Sequence, residues 1–240
     1  MISLTNLKKE AGHQKGFTLL ELLIVIAIIA ILSIALVFML NPAETLKKAR
    51  DAQRISDLKS VKTALGIMLT ASSTPSLDNF GTVCLSPTNL TGKVAYSAFP
   101  IPTAGITTVA GGDATAGGAF SATVSYGAAN ATSTGKVDGT GWIPVNLKAL
   151  TGGTPIASYP VDPVNTVTVG GPTSADLAYR YACQNGSSAG KPSYVFEIDA
   201  ILESNAYTVE DNKMSKDGGD NVNYYETGNS LNLLPITTTF

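Results

Sequence analysis

The feature that most constrains this chain is an almost entirely apolar run of 24 residues near its N-terminus, residues 17–40. At 1.5 Å per residue, a helix of that length measures about 36 Å, enough to cross the hydrocarbon core of a bilayer with some tilt. The residues before it are polar and net basic, with Lys8, Lys9 and Lys15 against Glu10. Because basic residues beside a span stay on the cytoplasmic side, the sequence predicts a single-pass membrane protein whose body faces outward.

A candidate processing site lies in front of the apolar run. An ordinary secretory signal has an apolar core of about 7–15 residues with an A-x-A-like cleavage site after it. In this chain the run is longer, and the small residue is Gly16, between Lys15 and Phe17. Cleavage after Gly16 at the cytoplasmic face would remove residues 1–16 as a leader and leave the whole helix on the mature chain.

Glu21 is a carboxylate inside the apolar run. A charge at that depth costs at least a few kcal/mol unless it has a partner. Cleavage after Gly16 would supply one, because the new α-amine of Phe17 is a cation that Glu21 of a neighbouring subunit can neutralise. Such a pair would also set the axial register of one subunit against the next. The alternative is a carboxylate that reaches the membrane interface along its own side chain.

Residues 15–21, KGFTLLE, resemble the class III leader of type IV pilins and type II secretion pseudopilins. The resemblance implies that a prepilin peptidase cuts after Gly16, that the same enzyme N-methylates Phe17, and that Glu21 guides assembly. It also implies a pilin-like shape, in which a long helix protrudes from a β-rich body. The alternative for the run as a whole is an uncleaved single-pass anchor that is indifferent to Glu21.

We therefore predict an α+β fold, with a long N-terminal α-helix packed on a C-terminal antiparallel β-sheet body. Residues 17–40 form its transmembrane or filament-core half, and residues 41–69 an amphipathic continuation after a break at Asn41-Pro42. Apolar residues recur in that continuation every three or four positions, at Leu46, Ala49, Ala52, Ile55, Leu58, Leu65 and Leu69. The opposite face is charged, with Arg50, Asp51 and Arg54 among its members, and we expect it to be solvated.

Residues 70–240 are predicted to form the globular β-rich body. The candidate strands are residues 93–99, 121–126, 164–169, 179–183, 194–200 and 205–209. The region rich in Gly, Ala and Thr at about 103–140 is expected to form surface loops or an exposed insertion.

Cysteine and acidic residues give two candidate sites in the body. Cys84 and Cys183 allow one disulfide if the body is exported; the alternative is two separate buried thiols. Asp217, Asp220 and Asn221 lie on a glycine-rich loop and are candidate calcium ligands, although a tight Asp-Gly turn explains the same residues without metal. Calcium is the one cofactor that the sequence suggests.

The composition argues against catalysis and against nucleic-acid binding. The single histidine, His13, lies in the predicted leader, and no nucleophile or phosphate-loop motif is present. Charged residues are only 14% of the chain and the formal net charge is −2, so the body has no basic field for phosphates.

The favoured function is therefore a structural subunit of a type IV pilus-like extracellular filament, assembled from a membrane-stored precursor. Its implied partners are further copies of the chain, a prepilin peptidase and a membrane assembly platform. The alternatives are a pseudopilin of a secretion or DNA-uptake machine, and a membrane-anchored adhesin or binding protein that does not polymerise.

Overall fold

A computed structural model of the chain describes residues 16–86, 92–98, 120–126, 131–166, 176–186 and 193–234. The chain divides into two compact units, Met1–Ala43 and Glu44–Phe240. Each is considered by itself below.

The first unit is built on helix α1, Leu19–Leu40. It is apolar on every side, and each of its side chains that the structure describes is exposed. Among the described residues, this is the one helix long and apolar enough to cross a membrane, over Leu19–Val37. Asn41 ends the helix in the left-handed conformation, with φ of 38°, a backbone shape that Asn tolerates better than most residues. The predicted break at Asn41-Pro42 therefore has a clear local cause.

Helix α2, Pro42–Ala71, belongs to the second unit from Glu44 onward. It begins at Pro42 because proline needs no intrahelical N–H partner there. Over its second half the predicted apolar stripe faces the core, with Leu58 and Leu65 fully buried. Over its first half the prediction is wrong. Leu46 is exposed, whereas Asp51 and Arg54 are completely buried. Their charges are compensated because Arg54 pairs with Asp51 one turn away and with the distant Asp162.

The body is organised by a five-stranded sheet of order β2-β1-β3-β4-β5. The strands are β1 Gly92–Tyr96, β2 Phe120–Tyr126, β3 Arg180–Gln184, β4 Val195–Ala200 and β5 Tyr225–Gly228. Strands β1, β3, β4 and β5 pair antiparallel, as predicted. The edge strand β2 pairs parallel to β1, which the sequence did not indicate.

Four of the candidate strands correspond to β1, β2, β3 and β4. The candidate strand at 205–209 is wrong, because Ala206–Glu210 is a π-helical turn. The carbonyl of Ser204 starts this turn by accepting the N–H groups of Tyr207 and Thr208. Residues 164–166 are not in a strand, and 167–169 lie outside the described residues.

Each face of the sheet has its own core, since successive side chains of a strand point to opposite sides. Tyr181, Phe196 and Ile198 pack with the buried face of α2. On the other face, Val94, Tyr96, Ala182 and Val195 pack with Leu233 and Leu234.

A segment between β2 and β3 covers part of the first core. Trp142, Ile143 and Tyr159 are buried there, and the Trp142 indole donates to the carbonyl of Pro160. Val137 is buried with them, so the end of the predicted surface region 103–140 is instead part of the core. Much of that region lies outside the described residues.

Candidate functional site

The junction between Gly16 and Phe17 is exposed, directly before helix α1. Both residues precede the helix and lack regular structure, and the Phe17 side chain is 85% exposed. Among the described residues, leaving aside Gly16 and its chain neighbours, no heavy atom lies within 4 Å of the position that a Cβ on Gly16 would occupy. The peptide bond after Gly16 is therefore open to an enzyme, whereas the backbone from Leu19 onward is held in the helix.

Glu21 is held by the start of its own helix. Its Oε2 accepts the backbone N–H and the hydroxyl of Thr18, each at 2.9 Å, and its own N–H donates to Thr18 Oγ1 at 3.2 Å. Thr18 and Glu21 thus form a reciprocal capping box that satisfies donors otherwise unpaired at a helix start. The carboxylate is directed back toward Phe17, at the end of the helix where a negative charge is favoured.

Thr18 is the functional residue that sequence reasoning missed. The signal was present, since T-x-x-E directly before an apolar run is the usual sequence of a capping box.

Residues 12–37, which include this junction and most of α1, match the family model for the prokaryotic N-terminal methylation motif. The chain carries a prepilin-type methylation motif. The match agrees with the resemblance of residues 15–21 to the class III leader of type IV pilins and pseudopilins. Neither the curated proteins nor the solved structures include a match to the chain. The motif supports a type IV pilin-like or pseudopilin precursor, and this coarse assignment rests on the N-terminal segment alone.

The body beyond the methylation motif is tied to α2 through Arg54. Its guanidinium donates to both oxygens of Asp162, at 2.6 and 3.0 Å, and Nη1 donates to Asp51 at 2.7 Å and to Glu203 at 2.6 Å. Burial alone would lower the pKa of Arg54, but these carboxylates raise it overall, so the charge is retained. Asp51 in turn accepts the N–H groups of Glu203 and Ser204.

The two cysteines of the body are joined in a disulfide between Cys84 and Cys183, with Cα atoms 4.7 Å apart. Cys183 lies in β3, and the neighbouring Leu85 exchanges backbone hydrogen bonds with Cys183 and Asn185, each at 2.9 Å. The bridge therefore fixes residues 84–85 beside the central part of the sheet. Asp78 holds the preceding loop by accepting the N–H groups of Val83 and Cys84.

The candidate calcium ligands lie in a hydrogen-bonded turn. Asp217 Oδ1 accepts the N–H of Gly219 at 2.9 Å, and its Oδ2 accepts the N–H of Glu226 at 2.7 Å. The Asn221 side-chain oxygen accepts the N–H of Asn223 at 3.0 Å, and Asp220 is exposed in the same loop. The bond between Asp217 and Gly219 is the one that an Asp-Gly turn provides, and the bond from Glu226 ties the loop to β5. Calcium binding stays a prediction.

Proposed function

We propose that this chain is the structural subunit of a type IV pilus-like filament, held in the cytoplasmic membrane as a precursor with its N-terminus inside. The observation that carries the proposal is the methylation motif over residues 12–37, which includes the exposed Gly16–Phe17 junction and most of an apolar helix whose described side chains are all exposed. The partners are a prepilin peptidase, a membrane assembly platform and further copies of the chain.

The first step is hydrolysis of the peptide bond between Gly16 and Phe17. It leaves the Gly16 carboxylate on the leader and the α-amine on Phe17. A methyl group from an electrophilic methyl donor then replaces one proton of that amine. The exposure of both residues supports direct access by the peptidase. The capping box at Thr18 keeps the helix from starting earlier, so the cleaved bond lies outside it.

The second step is pairing of the new α-amine with Glu21. In the uncleaved chain the Glu21 carboxylate is stabilised by two hydrogen bonds from Thr18, which reduces the cost of keeping it near the membrane. After cleavage, the cation at Phe17 of an incoming subunit adds a charged partner that Thr18 cannot supply. Assembly is then favoured in the one register that brings the two charges together.

The third step is burial of α1. Its described side chains are exposed and, apart from Glu21 and Ser33, apolar, so in water the helix needs a covering of lipid or of other helices. Close packing among the α1 helices of neighbouring subunits can replace the lipid contacts as subunits leave the bilayer. The polar body remains in water.

Intact-mass analysis of the full-length chain, expressed with and without a prepilin peptidase, tests the first step. We expect a product that begins at Phe17 and carries one methyl group, found only with the peptidase. Gly16→Val should remain uncleaved, whereas Gly152→Val, a matched change at another exposed glycine, should be processed normally. If the wild-type chain still begins at Met1 in the presence of an active peptidase, the first step is contradicted and the chain is a simple membrane anchor.

Glu21→Gln tests the second step, because its side-chain carbonyl can still accept both bonds from Thr18 while the charge is lost. We expect this variant to insert and to be cleaved but to be missing from filaments sheared off the cell surface. Normal assembly of Glu21→Gln would contradict charge pairing. Sheared surface filaments support the pilus function, whereas wild-type assembly confined to the cell envelope would indicate a pseudopilin.

A further inference from the structure

A cavity of about 320 Å³ lies within the second unit, at the C-terminal end of α2. One wall is formed by the last turn of α2 and the loop that follows it, and the other by residues around the 3₁₀ turn Leu147–Ala149. Pockets that bind small molecules have volumes of about 300–1,000 Å³. The cavity therefore has room for one small ligand, and neither the methylation motif nor the candidate calcium ligands contribute to its lining.

Both walls of the cavity are held in place by hydrogen bonds within the body. The Asn79 N–H donates to the carbonyl of Pro144 at 2.7 Å, which joins the loop after α2 to the segment that forms the other wall. Asn146 Oδ1 accepts the N–H of Lys148 at 3.1 Å and so caps the 3₁₀ turn. A cavity with fixed walls binds a ligand without first having to order them.

The polar groups that line the cavity are neutral, and several are available to a ligand. None of the lining residues is charged, and most of them are Ser, Thr or Asn. Within the described part of the chain, the hydroxyls of Ser73, Thr74 and Thr151 and the side-chain amide of Asn79 make no hydrogen bond to protein. Hydroxyl and amide groups can each donate and accept. These four side chains can therefore bond a ligand in both directions.

The end of α2 adds an electrostatic constraint. Its last turn contains no basic residue, and Ala71, the last residue of the helix, lines the cavity. Among the described residues, no donor reaches the carbonyls of Leu69, Thr70 or Ala71. The unpaired carbonyls at the C-terminal end of a helix carry a partial negative charge. This end of the cavity therefore accepts hydrogen bonds and repels anions.

The lining disfavours charged ligands and purely apolar ones. An anion would find no cation, and a cation would find no carboxylate to replace its water. An apolar molecule would leave the hydroxyl and amide groups without a partner. A neutral molecule rich in hydroxyl groups avoids these costs, because each hydroxyl both donates and accepts. The apolar part of the lining, which includes Met68 and Leu150, suits the C–H face of a sugar ring.

We propose that this cavity is a binding site for a neutral sugar. The ring hydroxyls bond to the side chains of Thr74, Asn79 and Thr151. The C–H face of the ring packs on Met68 and Leu150. Each hydrogen bond replaces one that the same groups make with water, so the net gain per bond is small and we expect a millimolar Kd for a monosaccharide. The site belongs to the body, so it does not depend on removal of the leader or on filament assembly.

Saturation-transfer NMR tests the proposal on the full-length chain in a polyoxyethylene detergent, whose head group is not a sugar. The probes are glucose, galactose and N-acetylglucosamine, each compared with its own 6-phosphate. We expect at least one of the three neutral sugars to bind. Its 6-phosphate should bind several-fold more weakly, because the cavity supplies no cation and the end of α2 is negative.

Ala149→Trp places the binding in this cavity, because the exposed Ala149 lines it and a large side chain there fills it without disturbing the core. We expect this variant to lose sugar binding. Ala157→Trp, a matched change at an exposed alanine outside the lining, should bind as the wild type does. If Ala149→Trp does not fold, Ser73→Trp takes its place with the same expectation.

Asn79→Leu tests the hydrogen bonds separately from the space. The variant keeps the approximate shape of the side chain and the backbone bond to Pro144, but it loses the amide. We expect the Kd to rise by about 3- to 10-fold, the effect of one or two lost hydrogen bonds.

Three results would overturn the proposal. One is the failure of all three neutral sugars to bind in the millimolar range, and another is tighter binding of the phosphates than of the sugars. The third is undiminished sugar binding in the tryptophan variant, which would place the sugar elsewhere on the protein. None of these results bears on cleavage after Gly16, which the intact-mass measurement tests independently.

Discussion

Arg54 is a buried charge that ties α2 to distant parts of the body. It is fully buried, and three carboxylates from separate parts of the chain converge on it, those of Asp51, Asp162 and Glu203. A buried charge is tolerable only when it is paired and fully hydrogen-bonded, and this guanidinium meets that condition. Because its partners lie both on α2 and beyond it, the residue fixes where the helix sits on the body.

Arg54→Met is expected to destabilise the body by about 3–5 kcal/mol, because it keeps the length of the side chain but leaves its buried carboxylates without their cation. Urea unfolding at pH 7 measures this. Arg50→Met is the matched control, since Arg50 is partly exposed and, among the described residues, pairs with Glu203 alone, and we expect a much smaller loss. Equal losses in the two variants would contradict the role assigned to Arg54.

The difference between local and distant partners explains which residues the sequence could reveal. Gly16, Phe17 and Glu21 are recognisable because their relation to one another is a matter of short spacing. Arg54 was assigned to a solvated face because its partners Asp162 and Glu203 lie 108 and 149 residues away. No local pattern records such a pair. For the same reason the sequence did not indicate that side-chain oxygens of Glu197 on β4 and Glu226 on β5 lie within 4.8 Å of each other.

Helix α2 is a regular helix that contains a glycine, the residue with the lowest helix propensity after proline. The 30-residue helix contains Gly66, where a Cβ would meet nothing within 4 Å. Glycine inside a helix costs about 0.5–1 kcal/mol relative to alanine, because the unfolded chain loses more freedom on folding. The position therefore lowers the stability of the helix without any steric need for glycine in this chain.

Gly66→Ala is expected to stabilise the body by about 0.5–1 kcal/mol. The contrasting change is Gly139→Ala. Gly139 has φ of 89°, and a Cβ there would lie 2.8 Å from the Asn79 side chain, so this variant should be destabilised. The denaturant midpoints of the two variants, compared with that of the wild type, measure both changes in stability. A loss of stability in Gly66→Ala would mean that the surface over this part of α2 is occupied by something else.

The sequence predicted the two helices and β4 but not the last strand, β5. Strand β5, with the sequence YETG, has only four residues and ends in glycine, so it shows no clear alternation. It is a strand because β4 supplies a paired edge for it. The π-helical turn at Ala206–Glu210 was mistaken for a strand because β-branched and aromatic residues favour strands, whereas the anchoring of Ser204 by Asp51 decided otherwise.

The molecule consists of two units that need opposite surroundings, one apolar and one aqueous. Every described side chain of α1 is exposed, whereas the unit Glu44–Phe240 has a core on each face of its sheet and a disulfide. The first unit therefore needs an apolar surrounding, and the second should be stable in water. The general α+β organisation followed from the sequence, since an apolar run and a region of short strands differ clearly in composition.

A chain that begins at Glu44 is expected to leave the membrane fraction and to unfold in one cooperative transition. Its Tm should lie within a few degrees of that of the full-length chain in detergent, because α1 adds no buried side chains among those described. Ultracentrifugation and calorimetry provide the two measurements. Aggregation of this shortened chain, or a much lower Tm, would show that the body depends on the first unit.

The bridge between Cys84 and Cys183 also changes the covalent topology of the chain, since it converts 100 residues into a closed ring, counting both cysteines. The direct covalent route from α2 to β4 passes through two sulfur atoms and bypasses β1, β2 and the whole Gly- and Thr-rich region. One protease cut anywhere inside the ring would leave a single covalent species on a non-reducing gel and two fragments on a reducing gel. Changes in length within the loops of the ring would likewise leave that route intact.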